Sequence, residues 1–167
     1  MGVDIGCRMS LSVLDIPISY LDGAKEKFKN ALLEHTKFGM KEIHKNHVEH
    51  EIFDRETFDL IPVLRRLKER AIKQMGTSGG GNHFVEFGEV EILEEDAQIG
   101  LPKGKYVGIL SHSGSRGFGA EIAQHYTKVA IENCPLPKEA QHLAWLDLDT
   151  HLGQEYWISM NLAGDYA

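Results

Sequence analysis

Apolar residues recur along this chain at two spacings, one helical and one strand-like. Helical spacing predicts a helix over 21–38, with Asp22 as its N-cap and Gly39 as its stop. A longer helical pattern predicts a second helix over 54–75. Pro62 should either sit in the first turns of that helix or kink it, because proline lacks a backbone N–H.

Stretches rich in alternating or β-branched residues predict strands. One or two strands are expected over 3–16, ending at Pro17, which cannot donate to a sheet ladder. The run "HFVEFGEVEIL" (83–93) predicts a strand or hairpin, and 106–110 predicts a short apolar strand. Further helices are predicted over 121–132 and 153–167. These elements together predict an α+β fold.

Composition narrows the class of protein. With 167 residues, 42% of them hydrophobic and 26% charged, the chain is expected to be a soluble globular protein that does not span a membrane. Cys7 and Cys134 lie far apart and no secretory leader is evident, which favours reduced thiols and a cytoplasmic location. A net charge of −7 disfavours a broad nucleic-acid-binding surface. Any polyanion site should therefore be local or metal-assisted.

Polar side chains stand in or beside the glycine-rich turns. Glycine lets the backbone approach a ligand closely, and successive N–H groups in such turns can hold anions. Thiolate, imidazole and carboxylate ligands suit Zn, Mn, Fe or Co, and the carboxylate favours Mn. One metal ion, or two that share Cys7, could be bound by these groups. The candidate residues are Asp4, Cys7, Asn82, His83, His112 and Arg116.

Each candidate also has a structural explanation. Cys7 could be a small buried strand residue, and Asp4 could cap a turn. His83, which precedes the apolar run "FVEF", could be a core histidine. Arg116 could form a surface ion pair from an ordinary turn. Taken one at a time, the residues do not decide between these alternatives.

Three motifs in order carry a family resemblance. "VDIGCRM" (3–9), "GTSGGGNHFVE" (76–86) and "SHSGSRGFG" (111–119) resemble the RtcB family of GTP-dependent RNA ligases, and "EYWISMNLAGDYA" (155–167) is similar to a later family segment. The resemblance runs from residue 2 to 167. It implies an RtcB-like fold, with mixed β-sheets flanked by helices around a metal-binding cleft.

The resemblance also implies a function. Family members join RNA 3′-phosphate or 2′,3′-cyclic phosphate ends to 5′-hydroxyl ends, using GTP and Mn²⁺, in tRNA splicing and RNA repair. Their partners are therefore RNA ends, and whether this chain needs an activating protein is open. Residue by residue, Asp4 and Cys7 match metal ligands, with Cys7 bridging two Mn²⁺ ions. His83 and His112 match ligands of one ion each, Asn82 matches a contact to the nucleotide phosphate, and Arg116 matches a binder of the RNA-end phosphate.

Two departures from the family pattern bear on activity. The histidine that accepts guanylate in the family lies downstream of the matching segments, and no residue here matches it. We therefore expect 1–167 to be a partial RtcB-like catalytic domain, truncated at both ends. Arg8 also stands where the family commonly has glycine. The alternatives are a non-catalytic metal- and phosphate-binding fragment, or a metal-dependent phosphoesterase in which bound water attacks.

Overall fold

The strands of the computed structural model, which describes residues 5–46, 48–95 and 100–167, form one antiparallel sheet. Both outer strands pair with the central one, in the order β1-β3-β2. The α+β class is confirmed, but the described residues contain a single antiparallel sheet and not the mixed sheets that the resemblance implied. The strands are β1 (Arg8–Pro17), β2 (Phe84–Ile92) and β3 (Gly104–Ser113).

Six α-helices accompany this sheet in the described part of the chain. Four of them, α3 to α6, contribute most of the main hydrophobic core, whereas α1 and α2 lie with the sheet. Two short 3₁₀ segments, Glu51–Asp54 and Lys138–Leu143, occupy connections. The helices are α1 (Ile18–Gly23), α2 (Lys25–His35), α3 (Thr57–Leu60), α4 (Pro62–Gln74), α5 (Arg116–Asn133) and α6 (His151–Tyr166).

Pro62 divides the helix that was predicted over 54–75. Ile61 has extended backbone angles, φ −104° and ψ 120°, as expected for a residue that precedes proline. Pro62 then opens α4, where its missing N–H would have had no helical partner anyway. The chain therefore forms the short α3 and the longer α4, with Asp54 in a 3₁₀ turn before them.

The helix predicted over 21–38 is also two helices. Ala24 leaves the helical region at φ −130° and ψ 27°, which separates α1 from α2. Asp22 lies inside α1 and caps nothing, because α1 starts directly after Pro17. The second helix ends before Gly39, whose N–H donates instead to the carbonyl of Gly79 at 2.6 Å. This contact draws residues 36–40 away from the helix axis and towards the glycine-rich turn.

All three strand regions are confirmed with changed bounds: the region predicted over 3–16 forms the single strand β1, which begins only at Arg8. The run 83–93 forms the single strand β2, and the expected strand at 106–110 extends to Ser113 because β1 and β2 pair with it on both sides. His112, expected in the turn that follows, therefore lies within β3. Pro17 ends β1, which is an edge strand. Proline has no backbone N–H to donate, and an edge strand tolerates this loss.

The C-terminal helices confirm one prediction and correct another. Helix α6 covers the predicted segment up to Tyr166 and begins two residues before 153, because the Thr150 side chain accepts the Gly153 N–H at 3.2 Å and caps the helix. Helix α5 begins at Arg116, five residues before the predicted start at 121. None of the helices in the described ranges combines the length and the hydropathy that crossing a bilayer requires.

Aromatic rings join the helices in the main core. The ring of Phe118 on α5 lies 5.6 Å from that of Phe58 on α3 and 5.2 Å from that of Tyr166 on α6. Both phenylalanines are fully buried, and each such side chain contributes about 1.5–3 kcal/mol through burial. Since Phe118 follows Arg116 by two residues, this core fixes the start of α5.

Candidate metal and phosphate site

The thiol of Cys7 meets the imidazole of His83 at one end of the sheet. Cys7 directly precedes β1, and His83 directly precedes β2. The Cys7 Sγ and His83 Nε2 atoms are 3.4 Å apart, and both side chains are half-buried. The two outer strands of the sheet therefore bring together residues that are 76 positions apart in the sequence.

A backbone carbonyl fixes the orientation of the His83 ring. Nδ1 of His83 lies 2.7 Å from the carbonyl oxygen of Ser78, which can only accept, so Nδ1 donates. In the neutral ring, Nε2 then keeps its lone pair and presents it to Cys7. Ser113 donates its hydroxyl to the same Ser78 oxygen at 3.0 Å. This is the arrangement by which proteins orient a metal-binding histidine.

The donor set fits a transition metal in part. Ligands held tetrahedrally by one zinc-like ion, at about 2.3 Å for sulfur and 2.1 Å for nitrogen, lie roughly 3.6 Å apart, close to the 3.4 Å between Cys7 Sγ and His83 Nε2. His112, another predicted ligand, lies next to His83, and the centroids of the two rings are 5.5 Å apart. Asp4, the other predicted ligand, lies outside the described residues. Within those residues, no cluster of three or more potential ligands is assembled.

Gly114 leaves the space between the thiol and the imidazole open. A Cβ atom at this position would lie 3.3 Å from both Cys7 Sγ and His83 Nε2. That separation is tighter than most contacts of real Cβ atoms, so a side chain here would press on both Cys7 and His83. The close packing of this pair against residue 114 therefore favours glycine there.

Arg116 begins α5 with a strained backbone and an anchored side chain. Its φ of +56° is the only positive φ of a non-glycine residue in the described ranges, and such outliers concentrate at functional sites. Nε donates to Thr77 Oγ1 at 2.9 Å and one Nη2 hydrogen donates to the Gly39 carbonyl at 2.7 Å. A guanidinium has five N–H groups, so these bonds leave donors for a ligand. Partial burial lowers the pKa of Arg116, an effect that Tyr166 opposes, yet arginine remains a cation at neutral pH.

Gly79 lies against both His83, a predicted metal ligand, and Arg116, the predicted phosphate binder. Its φ is +96°, and a Cβ atom there would overlap both Arg116 Nη1 and His83 Nδ1. Both side chains therefore occupy the space that a Cβ atom of this residue would fill. The glycine-rich turn that the sequence marks out thus lets an imidazole and a guanidinium lie close to each other.

A cleft of about 390 Å³ opens beside these groups. Asn82, His83 and Arg116 line it, so three predicted site residues share one wall with solvent access. Asn82 is exposed and supplies an amide, while Arg116 supplies positive charge. Such a cleft can hold a phosphate group beside the Cys7 and His83 pair. The other lining residues are Met40, Gly80, Ser115, Gly117 and Ala120.

Several groups that build the site were not predicted. Thr77 and the Ser78 carbonyl orient Arg116 and His83, and their place in the "GTSGGGNHF" turn is a signal that could have pointed to them. The Gly39 carbonyl lies 77 residues from Arg116 in sequence, and no local pattern predicts that contact. Gln74 is likewise missed, although its side chain is nearly fully buried and accepts the Gly117 N–H at 3.1 Å.

Comparison with known proteins gives consistent matches. A family model described as tRNA-splicing ligase RtcB matches residues 50–167, a segment that contains every candidate site residue except Asp4 and Cys7. The RNA-splicing ligase RtcB homolog 1 of Entamoeba dispar is 32% identical over 108 residues, covering 63% of this chain and 20% of that protein.

Two archaeal proteins named tRNA-splicing ligase RtcB match a segment of similar length. That of Pyrococcus furiosus is 34% identical and that of Methanocaldococcus jannaschii is 35% identical, each over 111 residues. Each match covers 63% of this chain and 11% of the relative. The matched segment thus spans between about a tenth and a fifth of the length of these relatives.

Proposed function

This chain belongs to the RtcB family, and on that premise we propose that it forms the metal- and phosphate-binding part of an RNA ligase site. The proposed reaction joins RNA 3′-phosphate or 2′,3′-cyclic phosphate ends to 5′-hydroxyl ends with GTP and Mn²⁺, as in tRNA splicing and RNA repair. Bound Mn²⁺ would supply charge neutralisation and polarisation of P–O bonds. Cys7 and His83 are proposed ligands of this ion, with Asp4 and His112 completing a two-ion site.

The other two residues receive roles in binding phosphates. Arg116 lines the cleft, has N–H groups beyond those that contact Thr77 and Gly39, and is proposed to bind the terminal phosphate of the RNA. Asn82, exposed in the same cleft, is proposed to contact the phosphate of the guanine nucleotide. The single observation that carries the proposal is the 3.4 Å distance between Cys7 Sγ and His83 Nε2. The Ser78 carbonyl orients the His83 ring. Arg116 packs beside that ring at Gly79.

The substitution Cys7→Ser is expected to weaken Mn²⁺ binding by at least about 100-fold. Loss of groups that merely orient ligands costs 10–100-fold, so loss of a ligand should cost no less. Mn²⁺ affinity can be measured from the free-ion signal in electron paramagnetic resonance. Cys134→Ser provides the control, because Cys134 lies in a separate cluster with Ala130 and Ala144. Equal Mn²⁺ affinity in Cys7→Ser and wild type would remove Cys7 from the site.

Lysine at position 116 is expected to weaken binding of a 3′-phosphorylated RNA by roughly tenfold while leaving Mn²⁺ affinity within about twofold. Lysine retains the charge but not the planar fork that contacts Thr77 and Gly39 and still offers donors to a phosphate. The measurement compares RNA oligonucleotides with and without the 3′-phosphate, in the presence of Mn²⁺. A variant that keeps the preference for the 3′-phosphate would contradict the role of Arg116.

A separate assay distinguishes the alternative function. Phosphate release from cyclic-phosphate RNA ends by the wild-type chain without GTP would favour a phosphoesterase over a ligase.

A further inference from the structure

A second and larger depression, of about 530 Å³, lies beside the cleft along α4, and we call it the basic groove. Met40 and Gly117 line both it and the cleft, so the two are adjacent. Neither the sequence motifs nor the family comparison assigns it a role. Its lining consists of Met40, Lys41, Ile43, Arg66, Glu69, Arg70, Lys73, Gln74 and Gly117.

Positive charge is concentrated in the basic groove. Arg66, Arg70 and Lys73 follow one another at helical spacings of four and three residues, which places them on one face of α4. Lys41, which lies outside α4, adds a fourth cation. Glu121 pairs with Arg66 at 3.8 Å and with Arg70 at 2.8 Å, and Glu69 pairs with Lys73. Four cations therefore face two carboxylates, on a chain whose net charge is −7.

Gln74 fixes the basic groove relative to the cleft. Its side chain is only 5% exposed. Nε2 donates to the Met40 carbonyl at 3.4 Å, and Oε1 accepts the Gly117 N–H at 3.1 Å. One residue of α4 thus holds the 40–41 loop and the first turn of α5, which form the shared wall. A strand that left the cleft at Arg116 past Met40 and Gly117 would meet the basic groove next.

We propose that the basic groove binds the phosphodiester backbone of a single-stranded RNA whose end lies at Arg116. The identity of the strand rests on the proposed function, whereas the charge of the basic groove and its position beside the cleft do not. Arginine forks suit phosphate oxygens, and lysine adds point charges. The described lining contains four cations and no aromatic ring, so its main attraction is to phosphates. Phosphate contacts of this kind do not depend on sequence.

The test replaces three cations of the basic groove and leaves Arg70, which links α4 to α5 through Glu121. The triple variant Lys41→Gln, Arg66→Gln, Lys73→Gln is compared with Lys25→Gln, Lys27→Gln, Lys29→Gln on α2, which removes equal charge from exposed positions outside the basic groove. Binding of a fluorescent 12-nucleotide RNA with hydroxyl groups at both ends is followed by anisotropy. The assay omits Mn²⁺ and varies the salt concentration.

We expect the groove variant to bind this RNA at least about tenfold more weakly near 0.1 M salt, with the slope of log affinity against log salt reduced by about 2. The α2 variant should resemble wild type. The proposal is overturned if wild type does not bind, if both variants lose affinity equally, or if polyglutamate competes as well as unlabelled RNA, which would indicate an acidic protein partner.

The same proteins separate this inference from the proposed function. The groove variant should keep wild-type Mn²⁺ affinity, because none of its three substitutions touches Cys7 or His83. If Cys7→Ser leaves Mn²⁺ binding intact while the groove variant loses RNA, the metal site is wrong and the basic groove stands. If Cys7→Ser loses Mn²⁺ while the groove variant keeps RNA, the basic groove is wrong and the metal site stands.

Discussion

The substitution Gly79→Ala is expected both to abolish Mn²⁺ binding and to reduce phosphate binding at Arg116. The added Cβ would overlap His83 Nδ1 and Arg116 Nη1, so both side chains must leave their present positions. Displacing His83 breaks its 2.7 Å hydrogen bond to the Ser78 carbonyl, which sets the orientation of Nε2. The left-handed φ of +96° adds a cost of about 1–2 kcal/mol for any residue with a Cβ.

The neighbouring Gly81 provides a matched control. Its φ is +72°, yet a Cβ atom there would meet no atom within 4 Å. Gly81→Ala should therefore share the backbone cost without displacing either side chain. Mn²⁺ affinity by electron paramagnetic resonance and stability by urea unfolding separate the two effects. If Gly79→Ala retains the Mn²⁺ affinity of Gly81→Ala, the packing of His83 against Gly79 does not position a ligand.

Local sequence patterns predicted the elements whose signals lie within one segment. The alternation of 83–93 and the apolar spacing of 153–167 specify β2 and α6, because burial on one face determines each period. The break at Ala24 has only a weak local signal, because Gly23 before it disfavours helix by about 1 kcal/mol while the apolar spacing runs on through both helices. The start of α5 was missed because the glycines on both sides of Arg116 predict a turn. The left-handed φ of Arg116 is seen only in the structure.

The candidate site divides in the same way. Glycine-rich motifs pointed to His83, His112, Asn82 and Arg116. The structure places Cys7 and His112 each beside His83, and it places Asn82 and Arg116 with His83 along the cleft. The groups that orient them are largely backbone atoms, such as the carbonyls of Gly39 and Ser78. A backbone carbonyl is present at every residue, so composition and spacing carry no information about which one accepts. Only the folded chain selects them.

Alanine at position 118 is expected to lower the free energy of unfolding by about 3–5 kcal/mol. Phe118 is fully buried, and its ring bridges those of Phe58 and Tyr166, so truncation leaves a cavity between α3, α5 and α6. Urea unfolding followed by circular dichroism measures the loss. Leu33→Ala on α2 is the control, because Leu33 is 70% exposed and should change stability by less than about 0.5 kcal/mol. A loss below about 1 kcal/mol for Phe118→Ala would contradict the described core.

Metal linkage extends this prediction from the core to the site. A ligand that binds only the folded state stabilises it by about 2.7 kcal/mol at a concentration 100 times its dissociation constant. When the Mn²⁺ concentration is about 100 times a protein's own dissociation constant, the free energy of unfolding should therefore rise by the same amount in wild type and in Phe118→Ala. At the wild-type Mn²⁺ concentration, Cys7→Ser should gain less than about 0.5 kcal/mol, since its affinity is at least 100-fold weaker. A smaller gain for Phe118→Ala than for wild type at the wild-type concentration would mean that the cavity also displaces Arg116 and His83 at the start of α5.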